Sequence, residues 1–415
     1  MIKKLIIAKF LCSCAIGMSQ KIDSVTVSSG YQNQVWYSLE NGIEKTQAKD
    51  DWDLGFEISG YAASVIANTQ KSNFLLYKSP YSVLQFSTID TTAINTWKKL
   101  YNSDTTWSEG ALNSTRNLQN QFDLGWGTYD MNTHFVNGDS CYVVKISSTL
   151  YKKFYIENLA GGNYTLVVSN LDGSEEKSIV LKKSDFKNKN FGYVNLTSGE
   201  IIDREPETSS WDLTFTRYTS MLNSNGTIIP YNVVGVLQNS GVSVSQIDTV
   251  SNFDQFQNTT TSLSNNISTI GYDWKTFDLA TNQWILAPNT VYIVKDKKGN
   301  LWKIQFIGFE GSASGKIKFK KELLNVTSLE SENLFQTALS VFPNPAITQE
   351  EINFKNNSGE EITLNIYNPE GAIVYTTNLS NSHFSLNTNN FKSGIYTLKY
   401  THKNTLNTQK LIIVK

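Results

Sequence analysis

Gly192-Tyr-Val-Asn-Leu196, followed by Gly199 and Trp211-Asp-Leu-Thr-Phe215, repeats an earlier run: Val35-Trp-Tyr-Ser-Leu39, Gly42 and Trp52-Asp-Leu-Gly-Phe56. Leu-to-Gly spacing is the same in both, and the Gly-to-Trp gap differs by two residues. Further landmarks recur in the same order. Trp126-Gly-Thr-Tyr-Asp130 answers to Trp274-Lys-Thr-Phe-Asp278, and Tyr142-Val-Val-Lys145 with Lys153 answers to Tyr292-Ile-Val-Lys295 with Lys303. Self-similarity of this kind marks a duplicated unit, with copies at residues 20–186 and 187–325. Within the second copy Trp302, Ile304 and Phe306 alternate with Leu301, Lys303 and Gln305, and Ile317 and Phe319 alternate with Lys316, Lys318 and Lys320. A period of two buries one face of a strand. Asp172-Gly173 and Lys298-Gly299 supply turns, because glycine tolerates positive φ. Neither copy sustains a 3.6-residue amphipathic period over several turns, so the expected class is all-β.

Composition narrows the function classes. The 415 residues carry 36 Lys+Arg against 37 Asp+Glu, a net charge of -1, so no basic excess is available for a nucleic-acid partner. An aromatic content of 12% argues against a disordered chain. Three Cys and three His are too few for a disulfide framework or a zinc-cluster domain. At the N-terminus Lys3 and Lys4 precede an apolar run from Leu5 to Met18, and Gly17 and Ser19 offer a small-residue cleavage site, so residues 1–19 read as a secretory signal peptide. Leu11-Cys-Ser-Cys14 loosely resembles a lipoprotein box that would lipidate Cys14; ordinary cleavage is the stronger reading, since Cys12 inside that box is atypical. No later run offers the ~20 apolar residues of a membrane-spanning helix.

From Tyr193 to Tyr218 the pattern Tyr-x-x-Leu-x-x-Gly, then Trp-Asp-Leu-x-Phe-x-Arg-Tyr, resembles the HmuY family of the Bacteroidetes, as do Tyr292-Ile-Val-Lys295, Trp302-Lys-Ile-Gln-Phe306 and Gly315-Lys-Ile-Lys-Phe319. The second copy matches over its whole length. The first departs, with Gly55 in place of Thr214 and no Arg-Tyr after Phe56. The resemblance implies two tandem all-β, exported domains and haem, held between two axial side chains, as one candidate ligand.

After a polar linker at 326–340, Val341-Phe-Pro-Asn-Pro-Ala346 opens a run of short alternating strands that reads as a small β-sandwich. Residues 341–415 are similar to the type A sorting domain of type IX secretion cargo, on Phe342, Pro343, Asn344 and Pro345, the turn at Gly394 and Tyr396, and the basic apolar ending from Lys410 to Lys415. That resemblance implies the secretion translocon and its processing peptidase as partners, passage through the periplasm, and a final place in the medium or on the outer-membrane surface.

Haem needs axial His, Met, Cys or Tyr. His134 is the sole histidine of the two copies, and the matching stretch of the second holds Asn282, so a His/His pair is not available. Met131 and Met221 are the other candidate ligands, against a plainer reading as apolar packing. Asp53 and Asp212, at the same place in each copy, are expected to hydrogen-bond a strand end or turn in their own module and not to form a catalytic pair. Cys141 lacks a nearby activating His and is expected to be buried and inert. No phosphate loop, nucleophile elbow or metal-spaced His cluster is present. The expectation is a non-enzymatic, exported protein that binds a small ligand; the alternative is an adhesive or glycan-binding surface protein that takes no haem.

Overall fold

The computed structural model describes residues 21–60, 62–257, 261–324, 339–344, 346–347, 351–356, 361–368, 371–380, 383–402 and 405–414. The expected signal peptide with Cys14, nearly all of the linker, Pro345 and Lys415 lie outside them. The chain divides into two units that part after Leu324.

The first copy runs β1 (Lys21–Thr26), β2 (Asn33–Ser38), β3 (Gly42–Ala48), β4 (Leu54–Glu57), β5 (Val65–Ala67), β6 (Leu75–Ser82), β7 (Gly127–Tyr129), β8 (Val136–Gly138), β9 (Ser140–Lys145), β10 (Tyr151–Ala160), β11 (Asn163–Asn170) and β12 (Lys177–Lys182). The second continues with β13 (Phe191–Val194), β14 (Ile201–Ile202), β15 (Leu213–Ser224), β16 (Thr227–Gln238), β17 (Ser243–Ile247), β18 (Lys275–Asp278), β19 (Gln283–Leu286), β20 (Val291–Lys295), β21 (Leu301–Phe309) and β22 (Lys316–Leu323). The protein is all-β.

Two bodies form with the same strand order, and neither copy builds its body alone. One body pairs β14-β13-β4-β5 and β12-β11-β10-β9-β6; the other pairs β3-β2-β15-β16 and β1-β22-β21-β20-β17. Val194 lies opposite Leu54 and Gly192 opposite Phe56, just as Tyr37 lies opposite Leu213 and Val35 opposite Phe215. The two hairpins that share a sequence motif have thus exchanged places without a change of register. The expected boundary between 186 and 187 therefore does not separate the cores. One core draws only on residues between Leu54 and Leu196, and the other joins Val25, Val35, Tyr37 and Leu39 to residues from Leu213 to Phe319. The N-terminal β1–β3 segment acts as a strap that completes the second body.

The aspartates of the repeated Trp-Asp motif fasten this exchange. Leu196 donates its backbone N–H to Asp53 Oδ2 at 2.8 Å, and Leu39 donates to Asp212 Oδ2 at 2.8 Å. Each does cap a strand end, but in the other copy, not its own as expected. Asn68 and Asn239 repeat the symmetry: each Nδ2 donates to the carbonyl of the motif tryptophan, Trp52 or Trp211. The alternation in β21 and β22 holds for Ile304, Phe306, Ile317 and Phe319, all buried. Lys303 departs from it. It is fully buried because residues 249–256 cover the outer face, and its Nζ donates to the carbonyls of Phe253 (2.8 Å) and Phe256 (3.0 Å).

At the junction of the bodies Arg204 is buried against Trp36, Trp52 and Tyr193, with Nη1 donating to Gln34 Oε1 (2.6 Å) and Nε to Asp51 Oδ1 (2.9 Å). Neighbouring Glu205 accepts from Phe191 N (2.8 Å) and from the Tyr193 hydroxyl (3.0 Å), yet burial pushes its carboxyl from 4.5 up to about 7. Between those two values the folded state holds a proton that the unfolded state has released, so this stabilising contribution is present below pH 4.5 and lost as pH rises through 7. The melting temperature should accordingly fall from pH 5 to pH 8 by more in the native protein than in Glu205→Gln. Parallel curves for the two would show that Glu205 does not titrate there.

In the second unit β23 (Leu339–Phe342), β24 (Ala346–Ile347), β25 (Glu351–Asn356), β26 (Ile362–Tyr367), β27 (Ile373–Leu379), β28 (His383–Asn387), β29 (Gly394–His402) and β30 (Thr405–Val414) form sheets ordered β23-β25-β28 and β24-β30-β29-β26-β27. Both contribute to one core that includes Leu339, Phe354, Leu364, Leu398 and Leu411. Asn344 ties the opening motif to the last strand: its Nδ2 donates to Lys410 O at 2.7 Å and its Oδ1 accepts from Ile412 N at 2.9 Å. Tyr396 is buried and donates its hydroxyl to Lys392 O at 2.8 Å, while Phe342 and Lys410 are exposed.

Candidate functional site

β15 and β16 are each 12 residues long, where their counterparts β4 and β5 have 4 and 3. The extra length carries a hairpin past the body, and its base forms one wall of a cleft of about 500 Å³. The β18–β19 hairpin forms part of the facing wall, with Phe277 paired across from Trp284. Six rings line the space: Tyr31, Tyr231, Tyr272, Phe277, Trp284 and Phe309. Trp284 packs edge-on against Phe277 (5.1 Å) and Phe309 (4.9 Å), and Tyr31, from the turn before β2, stacks on Phe309 at 6.2 Å. The cleft is thus finished by the N-terminal strap.

Its polar groups are few. Arg217 on β15 is half-buried in the lining, and no hydrogen bond or ion pair holds its guanidinium among the described residues. Lys275 lies beneath the rings, 4.3 Å from the Trp274 centroid and 4.8 Å from Phe309, and donates to Val234 O at 2.6 Å and Tyr272 O at 3.2 Å. Burial lowers its pKa to about 7, with Asp273 opposing the shift. Asp273 is the one carboxylate in the lining.

The first body has a cleft in the corresponding place, of about 380 Å³, lined by Phe122, Tyr129, His134, Val136 and Leu159 among others. Strand pairing sets Val136 opposite Tyr129 as Trp284 lies opposite Phe277. His134 and Asn282 sit in matching turns, both with positive φ (59° and 54°). His134 is exposed, and its Nδ1 meets the Tyr129 hydroxyl at 2.8 Å. Met131 is 64% exposed and is not in that lining, and Met221 lies on β15 with its backbone N–H donated to Asp104. The three residues proposed as axial ligands are not gathered around one cavity. Among the described residues the larger cleft has no His, Met or Cys in its lining, and burial raises the phenols of Tyr31 and Tyr272, which disfavours a phenolate ligand. The side chains present there do not fit haem iron. Cys141 is buried as expected, its thiol pushed up to about 12 by burial.

With the geometry in place, comparison with known proteins assigns the two parts. Residues 187–320 match the family described as HmuY protein. The chain carries an HmuY domain. Every cleft residue except Tyr31 falls within it. Residues 340–415 match the secretion system C-terminal sorting domain, so the protein is a type IX secretion cargo that is secreted or attached at the cell surface. The match to HmuY covers the second copy alone. An endo-acting ulvan lyase of Formosa agariphila is 25% identical over an alignment 215 positions long that covers 43% of this chain. The chain spans 41% of that enzyme's length. Among solved structures, PorZ, a surface component of the type IX secretion system of Porphyromonas gingivalis, aligns over 78% of this chain and 41% of its own, at 12% identity and a TM-score of 0.18, too low to bear on the fold.

Sequence reasoning singled out His134 and missed the cleft of the HmuY domain. The signal lay in the differences between the copies. Trp284 stands where the first copy has Val136, Phe309 where it has Leu159, Lys275 where it has Gly127, and Arg217 where it has Ile58. All four substitutions add a ring or a cation around one cavity.

Proposed function

We propose that this exported protein is a glycan-binding member of the cell surface or secretome that holds a sugar chain in the aromatic cleft of its HmuY domain and does not transform it. The observation that carries this reading is a ring-walled cleft of about 500 Å³ with a few convergent polar groups, the form expected of a binding site. Aromatic faces stack on the apolar faces of sugar rings, and such faces are what the HmuY domain has gained over its companion body. The weak likeness to an enzyme named for the polysaccharide ulvan points the same way. Binding without catalysis is supported by Asp53 and Asp212, both spent on capping strands. On the same reading the processing peptidase of the secretion system removes the sorting domain after export.

Haem at His134 is the second reading, favoured by one observation: its Nε2 carries no hydrogen bond among the described residues and the ring lines a cleft. Calorimetry against neutral and acidic oligosaccharides, with a haemin titration alongside, separates the two. Binding of a sugar that Trp284→Ala weakens by about tenfold or more is the expected result. A Soret band lost in His134→Ala, with no sugar bound, would replace it with haem.

A further inference from the structure

Arg217 is the feature of the cleft that the rings do not explain. A guanidinium is planar, permanently charged, and presents paired N–H donors that match a carboxylate or a sulfate ester. Other buried cations are satisfied: Arg204 by Gln34 and Asp51, Lys303 by two carbonyls and Glu322, and Lys275, in the same cleft, by two carbonyls. Arg217 alone among these faces a cavity with none of its donors engaged by the described residues, close enough to Tyr31 to oppose the upward shift of that phenol. It is held half-buried on a strand in the middle of a ladder, opposite Val234, so its position is fixed by the sheet and not by a loop. The equivalent place in the first copy is Ile58, and that cleft has neither cation.

We infer that the cleft selects an anionic glycan, one bearing uronate or sulfate groups, with Arg217 pairing to the anionic substituent while Trp284, Phe309 and Tyr31 hold the sugar faces. This rests on the glycan reading above and names its substrate class. Lys275, which burial leaves only partly protonated at pH 7, adds a fraction of a positive charge beneath the rings, and Asp273 sets a limit by repelling the same anion. Two anions could satisfy Arg217, and their shared chemistry is a bidentate oxyanion on a sugar ring.

The test uses the whole mature protein and calorimetry at pH 7 with tetragalacturonate (carboxylate only), a carrageenan tetrasaccharide (sulfate only) and neutral cellotetraose. One of the two acidic probes should bind well above cellotetraose, and which one identifies the anion. Arg217→Ala should lose about tenfold or more in affinity for that probe, as deletion of one partner of a charge-assisted pair does, while Arg217→Lys loses less. Asp273→Asn should bind it more tightly, and raised salt should weaken it. Cellotetraose binding that equals the acidic probes, with Arg217→Ala unchanged, would overturn the anionic inference and leave the glycan reading standing. No binding of any of the three sugars would remove both. Circular dichroism of each variant separates a lost contact from a lost fold.

Discussion

Deleting residues 21–48 should unfold the second body and leave the first protected. The deletion removes β1, β2 and β3, and with them Val25, Val27, Val35, Tyr37 and Leu39, each wholly buried. A fully buried side chain of this size contributes about 1.5–3 kcal/mol, so the five together come to roughly 8–15 kcal/mol. That is the whole stability of an ordinary domain. The cut also bares the edge of β22 along the six residues that β1 had paired, and leaves Asp212 without Leu39. Residues 54–202 keep every member of their own core. Limited proteolysis with mass spectrometry should therefore find cleavage throughout 211–324 and protection across 54–202. A synthetic 21–48 peptide added to the truncated protein should restore protection, since the segment contributes as strands added to existing edges. Full protection of 211–324 without the peptide would show that β13 had returned to β15 and that the exchange is dispensable.

The other large effect concerns export. Removal of residues 339–415 should abolish appearance of the protein outside the cell and leave folded material in the periplasm. The expectation is all-or-none because every described member of the two cores of residues 21–324 lies at or before Phe319, so the cargo folds and only its address is missing. Asn344→Ala is the finer version. It removes the two exposed hydrogen bonds that tie the opening motif to the last strand, to the Lys410 carbonyl and from the Ile412 N–H, leaving the core intact. Immunoblots of medium, surface and periplasmic fractions read both. Normal surface delivery of the truncated chain would remove the sorting assignment.

Much of the architecture was legible in particular residues. The alternation of Ile317 and Phe319 with lysines placed β22, and the paired Trp-Asp motifs identified strands that occupy equivalent positions. The partner of each strand was not legible, for a physical reason. Both hairpins carry the same register-setting residues, so the sequence allows β2 to pair with β4 or with β15, and only the closed three-dimensional arrangement decides. Lys303 misled in another way: an alternating lysine reads as solvent-facing unless a distant loop covers it, and residues 249–256 do. As for the site, a His stands out because it is rare, whereas Trp284 and Arg217 are ordinary residues until the fold sets them around one space.

The strap has a temporal consequence. Lys21 is paired with Lys321, so the first described strand, β1, is held by β22, the last described strand before the sorting domain. No chain that stops before residue 321 can satisfy that pairing. The ring closes only when synthesis has passed β22, and Tyr31 then packs on Phe309. A ligand cleft assembled in this way is also a completeness check, since chains that end before β22 keep a loose end and an open binding surface.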